Sequence, residues 1–173
     1  MEVTLKYYAT GRNCDKILDM GRGSDKLASI WVFNGPNLNL LGLREPEHYG
    51  SRTLAEINQE VVATANQVGI NAECRQTNHE GDFLDWIQAL TSDDFLILNP
   101  GAWTHTSYAI RDAIRAARVP TVEVHLSNIH AREAFRANSV IAPVCIGQVS
   151  GLGADGYVLA MRYAIDYQER RRK

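Results

Sequence analysis

The stretch FLILNPGAWTHTSYAIRDAIRAARVPTVEVH, residues 95–125, reads as a strand, a helix and a second strand. Phe95 to Asn99 is apolar up to its last residue, and Pro120 to His125 is nearly so. Continuous apolar runs of this length fit strands buried on both faces, as in a parallel sheet; a half-exposed strand would alternate. Between them, Thr106 to Arg118 carries Ile110, Ala113, Ile114 and Ala117 at helical spacing, which predicts one inward face. A strand, a crossover helix and a second strand form the repeating unit of a parallel α/β sheet.

The same alternation continues in both directions. Toward the N-terminus, Ile30 to Asn34 is a short apolar run ending in a turn. Thr53 to Val68 spaces Leu54, Ile57, Val61, Ala65 and Val68 as a helix, with Thr53 and Glu56 set as a capping box. Asn71 to Gln76 reads as a strand, and Asp82 to Leu90 as a helix with Phe83, Trp86, Ile87 and Leu90 on one face. Toward the C-terminus, Ala142 to Gly147 is expected as the fifth strand and Gly156 to about Arg170 as the closing helix. The fold class is therefore α/β, a five-stranded parallel sheet with helices on both faces. Reactive groups are expected beyond the carboxyl ends of the strands, in segments 34–52, 76–81, 99–106, 125–138 and 147–156. Residues 1–29 show no clear period, and GRGSDK at 21–26 reads as a linker. They are expected to be a poorly ordered extension to a single domain spanning 30–173.

Composition narrows the function classes. The 18 basic and 20 acidic residues give a net charge of −2, which offers no footprint for nucleic acid or an anionic membrane. The basic run Arg170 to Lys173 reads as a solvated helix end. Cys14, Cys74 and Cys145 are odd in number and lack CxxC spacing, which argues against a disulfide framework or a zinc site and for a reducing, cytoplasmic compartment. Cys74 and Cys145 are expected to be inert core thiols. No run of about 18 apolar residues predicts a membrane span, and the first residues lack a signal-peptide core.

The loops hold an unusual set of polar residues: NGPNLNLLGLREPEHYG after the first strand, NPGAWTHTS after the third, and HLSNIHAREAFR after the fourth. Glu123 and His125 are two residues apart on a strand, so both side chains leave the same face, where the carboxylate can orient the imidazole. Asn37 and Asn99 precede turns and suit either ligand contact or an Asx-turn. Taken together, GPNLNLLG, REPEHYG, NHEG, NPGAWTHTS, RDA, EVHLSNIHARE and GLGADGY resemble the type II 3-dehydroquinate dehydratase family in order and spacing, from Ile30 to about Tyr167.

That resemblance implies a flavodoxin-like fold and a cofactor-free, metal-free trans-dehydration of 3-dehydroquinate to 3-dehydroshikimate, a shikimate-pathway step. A proton alpha to a ketone is removed, an enolate forms, and the neighbouring hydroxyl leaves as water. Such chemistry needs a base, an enolate stabiliser, an acid and an anchor for the substrate carboxylate. By resemblance, Tyr49 is the base. A free phenol has a pKa of about 10, so it needs a nearby cation to ionise near neutrality; Arg44 is the expected one, with Arg132 a second candidate. His125, held by Glu123, is the acid, and Asn37 holds a water against the enolate oxygen. Asn99, His105, Leu126, Ser127 and Arg136 are the implied substrate contacts, the backbone N–H groups of Leu126 and Ser127 meeting the carboxylate. Asp112 is implied to reach a substrate hydroxyl from a neighbouring subunit of a homododecamer built from trimers. The chain departs from the family pattern at Leu43, at Trp103 and in FRANS at 135–139.

Three other signals compete. GLGADG at 151–156 fits the dinucleotide fingerprint, but it opens the last helix, and the acidic residue expected about 20 positions on would fall past Lys173. Helix capping and close backbone packing are the expectation there. His79, Glu80, His105, His125 and His130 lack the spacing of a metal set. A flavin-binding module would need a Ser/Thr/Gly-rich phosphate loop after the first strand, where proline and asparagines stand instead.

Overall fold

The computed structural model describes residues 29–43 and 51–172. Its five strands are β1 (Ile30–Asn34), β2 (Ala72–Gln76), β3 (Phe95–Asn99), β4 (Thr121–His125) and β5 (Gly147–Ser150). All pair in parallel, in the order β2-β1-β3-β4-β5. Four helices connect them: α1 (Leu54–Asn66), α2 (Glu80–Gln88), α3 (Tyr108–Ala117) and α4 (Asp155–Arg172).

Strand alternation divides the core in two. Ile30, Val32, Phe95, Ile97, Val122 and Val124 face α1 and α4, meeting Ile57, Val61, Tyr157, Met161 and Ala164. Phe33, Leu96 and Leu98 face α2 and α3, meeting Phe83, Ile87, Ile110 and Ile114. β3 lies at the centre and is buried along its whole length, as its sequence predicts. α1 starts at the expected capping box: Glu56 N–H donates to Thr53 Oγ1 at 3.2 Å, and Thr53 N–H donates to Glu56 Oε2 at 2.7 Å.

Two expectations need correction. The fifth strand is Gly147–Ser150, while Ala142–Val144 forms a 3-10 turn. Pro143 has no N–H to give a ladder, and Val140 and Ile141 reach the core from the segment before that turn. The extension was expected to run to residue 29, yet Ser29 is buried and its carbonyl accepts from Phe95 N–H at 3.0 Å. Residues 1–28 lie outside the described residues, as does their expected poor order. Cys74 and Cys145 are half-buried, and burial pushes both thiols up to about 12, which keeps them protonated and unreactive. No helix among the described residues is long and apolar enough to cross a membrane.

The sheet order reverses between β1 and β3, so their carboxyl ends open a crevice. There Gly35 N–H donates to Asn99 O at 2.8 Å, and a Cβ on Gly35 would stand 2.6 Å from Pro100 O. No side chain fits that gap without moving backbone. Gly35→Ala is expected to lower unfolding free energy by about 1–3 kcal/mol, read by urea denaturation. A variant as stable as the parent would show that the two loops separate freely.

Candidate active site

A cleft of about 720 Å³, counting space open to solvent, lies at this crevice. Among its lining residues are Asn37, Asn99, His105, His125, Leu126, Ser127, Arg132 and Arg136, with Leu38, Leu41 and Ile129 as apolar wall. Sequence reasoning expected five of these polar side chains, Asn37, Asn99, His105, His125 and Arg136, and the Leu126–Ser127 backbone to serve one ligand, with Arg132 a candidate cation beside it. Tyr49 and Arg44, the expected base and its cation, lie outside the described residues. Asp112 is exposed on α3 and does not line its own chain's cleft.

His125 ends β4, and its Nε2 lies 2.6 Å from Oε1 of Glu123. Glu123 has no exposed surface. Both side chains leave the α2/α3 face, as their two-residue spacing requires. Thr104 donates its hydroxyl to Glu123 Oε1, and Ser139 Oγ lies 3.0 Å from Oε2. Ser139 Oγ in turn accepts from the N–H groups of Ile141 and Ala142, so its single proton is left for the carboxylate. Burial pushes the Glu123 carboxyl up. The hydrogen bond and charge of His125, with the two hydroxyl donors, outweigh that and hold it below the usual carboxylate range.

The backbone of residues 125–127 is set by the glycine loop that mimics a dinucleotide fingerprint. His125 O accepts from Gly151 N–H at 3.2 Å, and Leu126 O accepts from Gly153 N–H at 2.9 Å. In a trans peptide the next N–H points opposite to the carbonyl, so the N–H groups of Leu126 and Ser127 turn away from the glycine loop. Gly151 at φ 88° and Gly153 at φ 57° supply the left-handed turns, and a Cβ on Gly151 would stand 2.9 Å from Asn128 Cβ. The glycines serve turns and close approach.

Asn37 adopts φ 66°, its N–H donates to Asn78 Oδ1 at 2.9 Å, and its side chain makes no capping bond to its own turn. Asn99 does make the Asx-turn: Gly101 N–H donates to its Oδ1 at 3.1 Å. Its Nδ2 donates to Tyr157 Oη at 2.7 Å, and that hydroxyl donates to Asn34 Oδ1 at 2.6 Å. Burial pushes the Tyr157 phenol far up, so it keeps the proton it donates.

His105 Nδ1 meets Asn138 O at 2.9 Å, which requires the proton on that nitrogen and leaves Nε2 for the cleft. Arg136 pairs with Glu133 at 2.8 Å, while Arg132 lies 3.6 Å from the same carboxylate and 3.4 Å from Ser127 Oγ. Both guanidiniums edge the cleft, and both approach the Glu133 carboxylate. Trp103 turns away into the α2 side, its ring 5.2 Å from Phe83. Among the described residues no three His, Cys, Asp or Glu side chains gather as metal ligands.

Sequence reasoning missed Thr104, Ser139, Asn34 and Tyr157. Asn34 and Asn99 did leave a signal: IWVFN and FLILN are paired in register, and each ends a buried apolar strand on an amide.

Comparison with known proteins places the chain among relatives of one kind. Residues 28–165 match the family model described as dehydroquinase class II. A 3-dehydroquinate dehydratase of Desulfitobacterium hafniense strain Y51 is 61% identical over 140 residues, 81% of this chain and 97% of that protein. The type II dehydroquinase of Butyrivibrio crossotus DSM 2876 aligns with a TM-score of 0.76 at 42% identity, over 80% of this chain and 97% of that one. The enzyme from Propionibacterium acnes gives 0.75 at 40% identity, over 78% and 94%.

Because the folded pKa of Glu123 is depressed, its stabilisation is full above the unfolded value of about 4.3 and is lost as pH falls through the folded value. The stability advantage of the parent over Glu123→Gln, measured by denaturation across pH, should be widest near neutrality and shrink on acidification below about pH 4. An advantage independent of pH would mean the carboxyl is not held ionised.

Proposed function

The chain belongs to the class II dehydroquinase family, and from that membership we propose that it is a hydro-lyase converting 3-dehydroquinate to 3-dehydroshikimate. The observation that carries this reading is the buried Glu123–His125 pair at the wall of a cleft that also gathers Asn37, Asn99, His105 and Arg136.

The steps follow from what each group can do. Tyr49 as phenolate takes the C2 proton, its anion supported by the guanidinium of Arg44. The electron pair of the broken C–H bond moves to the ketone oxygen, and a water held by Asn37 stabilises the enolate. When the enolate collapses, the C1–O bond breaks, and His125 gives its proton to the departing hydroxyl, which leaves as water. Glu123 orients the ring and compensates its charge. The N–H groups of Leu126 and Ser127 receive the substrate carboxylate, while Asn99, His105 and Arg136 hold its remaining oxygens. Arg136 has to share its guanidinium with Glu133. These steps call for no metal or cofactor.

The reading extends to the assembly and its setting. Residues 30–173 act as the catalytic domain, in the cytoplasm, within a homododecamer built from trimers. The exposed position of Asp112 on α3 suits a role in a neighbour's cleft. Size-exclusion chromatography with light scattering should then give a dodecamer, and a monomer with full activity would remove Asp112 from the site.

The direct test follows the ultraviolet absorbance of the conjugated enone with purified protein and 3-dehydroquinate. Tyr49→Phe should lower kcat by roughly a hundred- to ten-thousand-fold while the substrate still binds. Normal kcat in that variant would show that another group is the base.

A further inference from the structure

The side chains of Asn34, Tyr157 and Asn99 form one hydrogen-bonded file beneath the cleft. Its two ends are fixed by the backbone. At one end Asn34 Nδ2 donates to Arg75 O at 3.3 Å, and a carbonyl can only accept. At the other, Gly101 N–H donates to Asn99 Oδ1, and an N–H can only donate. Between them, the Tyr157 hydroxyl donates to Asn34 Oδ1 and accepts from Asn99 Nδ2. Flipping either amide would set donor against donor at one end or acceptor against acceptor at the other. The file therefore has a single allowed direction, and all three residues are buried, so water does not compete.

That direction decides what the cleft sees. The Asn99 oxygen accepts from Gly101 N–H, and one Nδ2 proton goes to Tyr157. The second Nδ2 proton is the donor that Asn99 has left, and Asn99 lines the cleft. Tyr157 and Asn34 do not line it. We propose that Tyr157 is a positioning residue, which locks the Asn99 carboxamide in one orientation so that its free Nδ2 proton is held ready for the substrate. A substrate oxygen that accepts from that proton is the partner it suits. This rests on the reading of Asn99 as a substrate contact and adds what holds it in its working orientation.

The test is a cycle of Tyr157→Phe, Asn99→Ala and the double variant, with kcat and KM for 3-dehydroquinate. Acting through Asn99, Tyr157→Phe should raise KM by roughly five- to tenfold with kcat little changed, and it should add nothing further in the Asn99→Ala background. Asn34→Ala, one step further along the file, should raise KM in the same direction, and it serves if Tyr157→Phe fails to fold. Multiplying effects, or an unchanged KM in the folded variants, would overturn the proposal. A second readout does not need turnover. The Asn99 side-chain amide resonances, identified by their loss in Asn99→Ala, should exchange slowly with solvent in the parent and fast in Tyr157→Phe or Asn34→Ala. Equal exchange rates would also overturn the lock. A parent without enone formation but with a protected Asn99 amide would sink the dehydratase reading and leave the lock standing.

Discussion

A carboxylate without exposed surface stands at the end of β4, and much of the site is built to keep it ionised. Moving a charge of that size out of water costs several kcal/mol unless partners replace the lost solvation. Glu123 finds those partners in His125, Thr104 and Ser139, which come from the strand itself, from the turn after β3 and from the segment before β5. The carboxylate thus ties three separate pieces of chain to one point. It also binds function to stability: losing any partner leaves a buried charge less compensated, and the imidazole that faces the cleft loses its orientation with it.

The sheet order explains why that point matters. Reversal of direction between β1 and β3 leaves a crevice at their carboxyl ends, with β4 beside it. Gly35 lets the loops after β1 and β3 touch, and Gly151 and Gly153 hold the carbonyls of His125 and Leu126. The motif that looks like a nucleotide fingerprint thus serves a neighbouring loop, by turning two N–H groups away from itself. Backbone direction, set by glycines on one side, and side-chain direction, set by hydrogen-bonded files on the other, converge on one cleft.

Local patterns carried most of the fold. The run from Phe95 to His125 forms the strand, helix and strand that its periodicity implies, and the capping box at Thr53 starts a helix. The Glu123–His125 pair was legible because a strand places alternate residues on one face. Legibility failed where partners are distant in sequence. Thr104, Ser139 and Tyr157 stand inside quoted segments, NPGAWTHTS, FRANS and GLGADGY, but nothing local to them names their partners. Only the folded sheet brings Asn34 and Asn99 to its hydroxyl, across 123 and 58 residues. The last strand was misplaced because Ala142 to Gly147 is an apolar run, whereas Ala142–Val144 forms a 3-10 turn containing Pro143 and the strand begins at Gly147.

The central claim is that Glu123 is an anion in the folded protein. Infrared difference spectroscopy, parent minus Glu123→Gln, reads it directly near neutral pH. The account predicts the paired stretching bands of an ionised carboxylate, persisting on acidification past the usual glutamate range. A protonated-acid carbonyl band at neutral pH would contradict it.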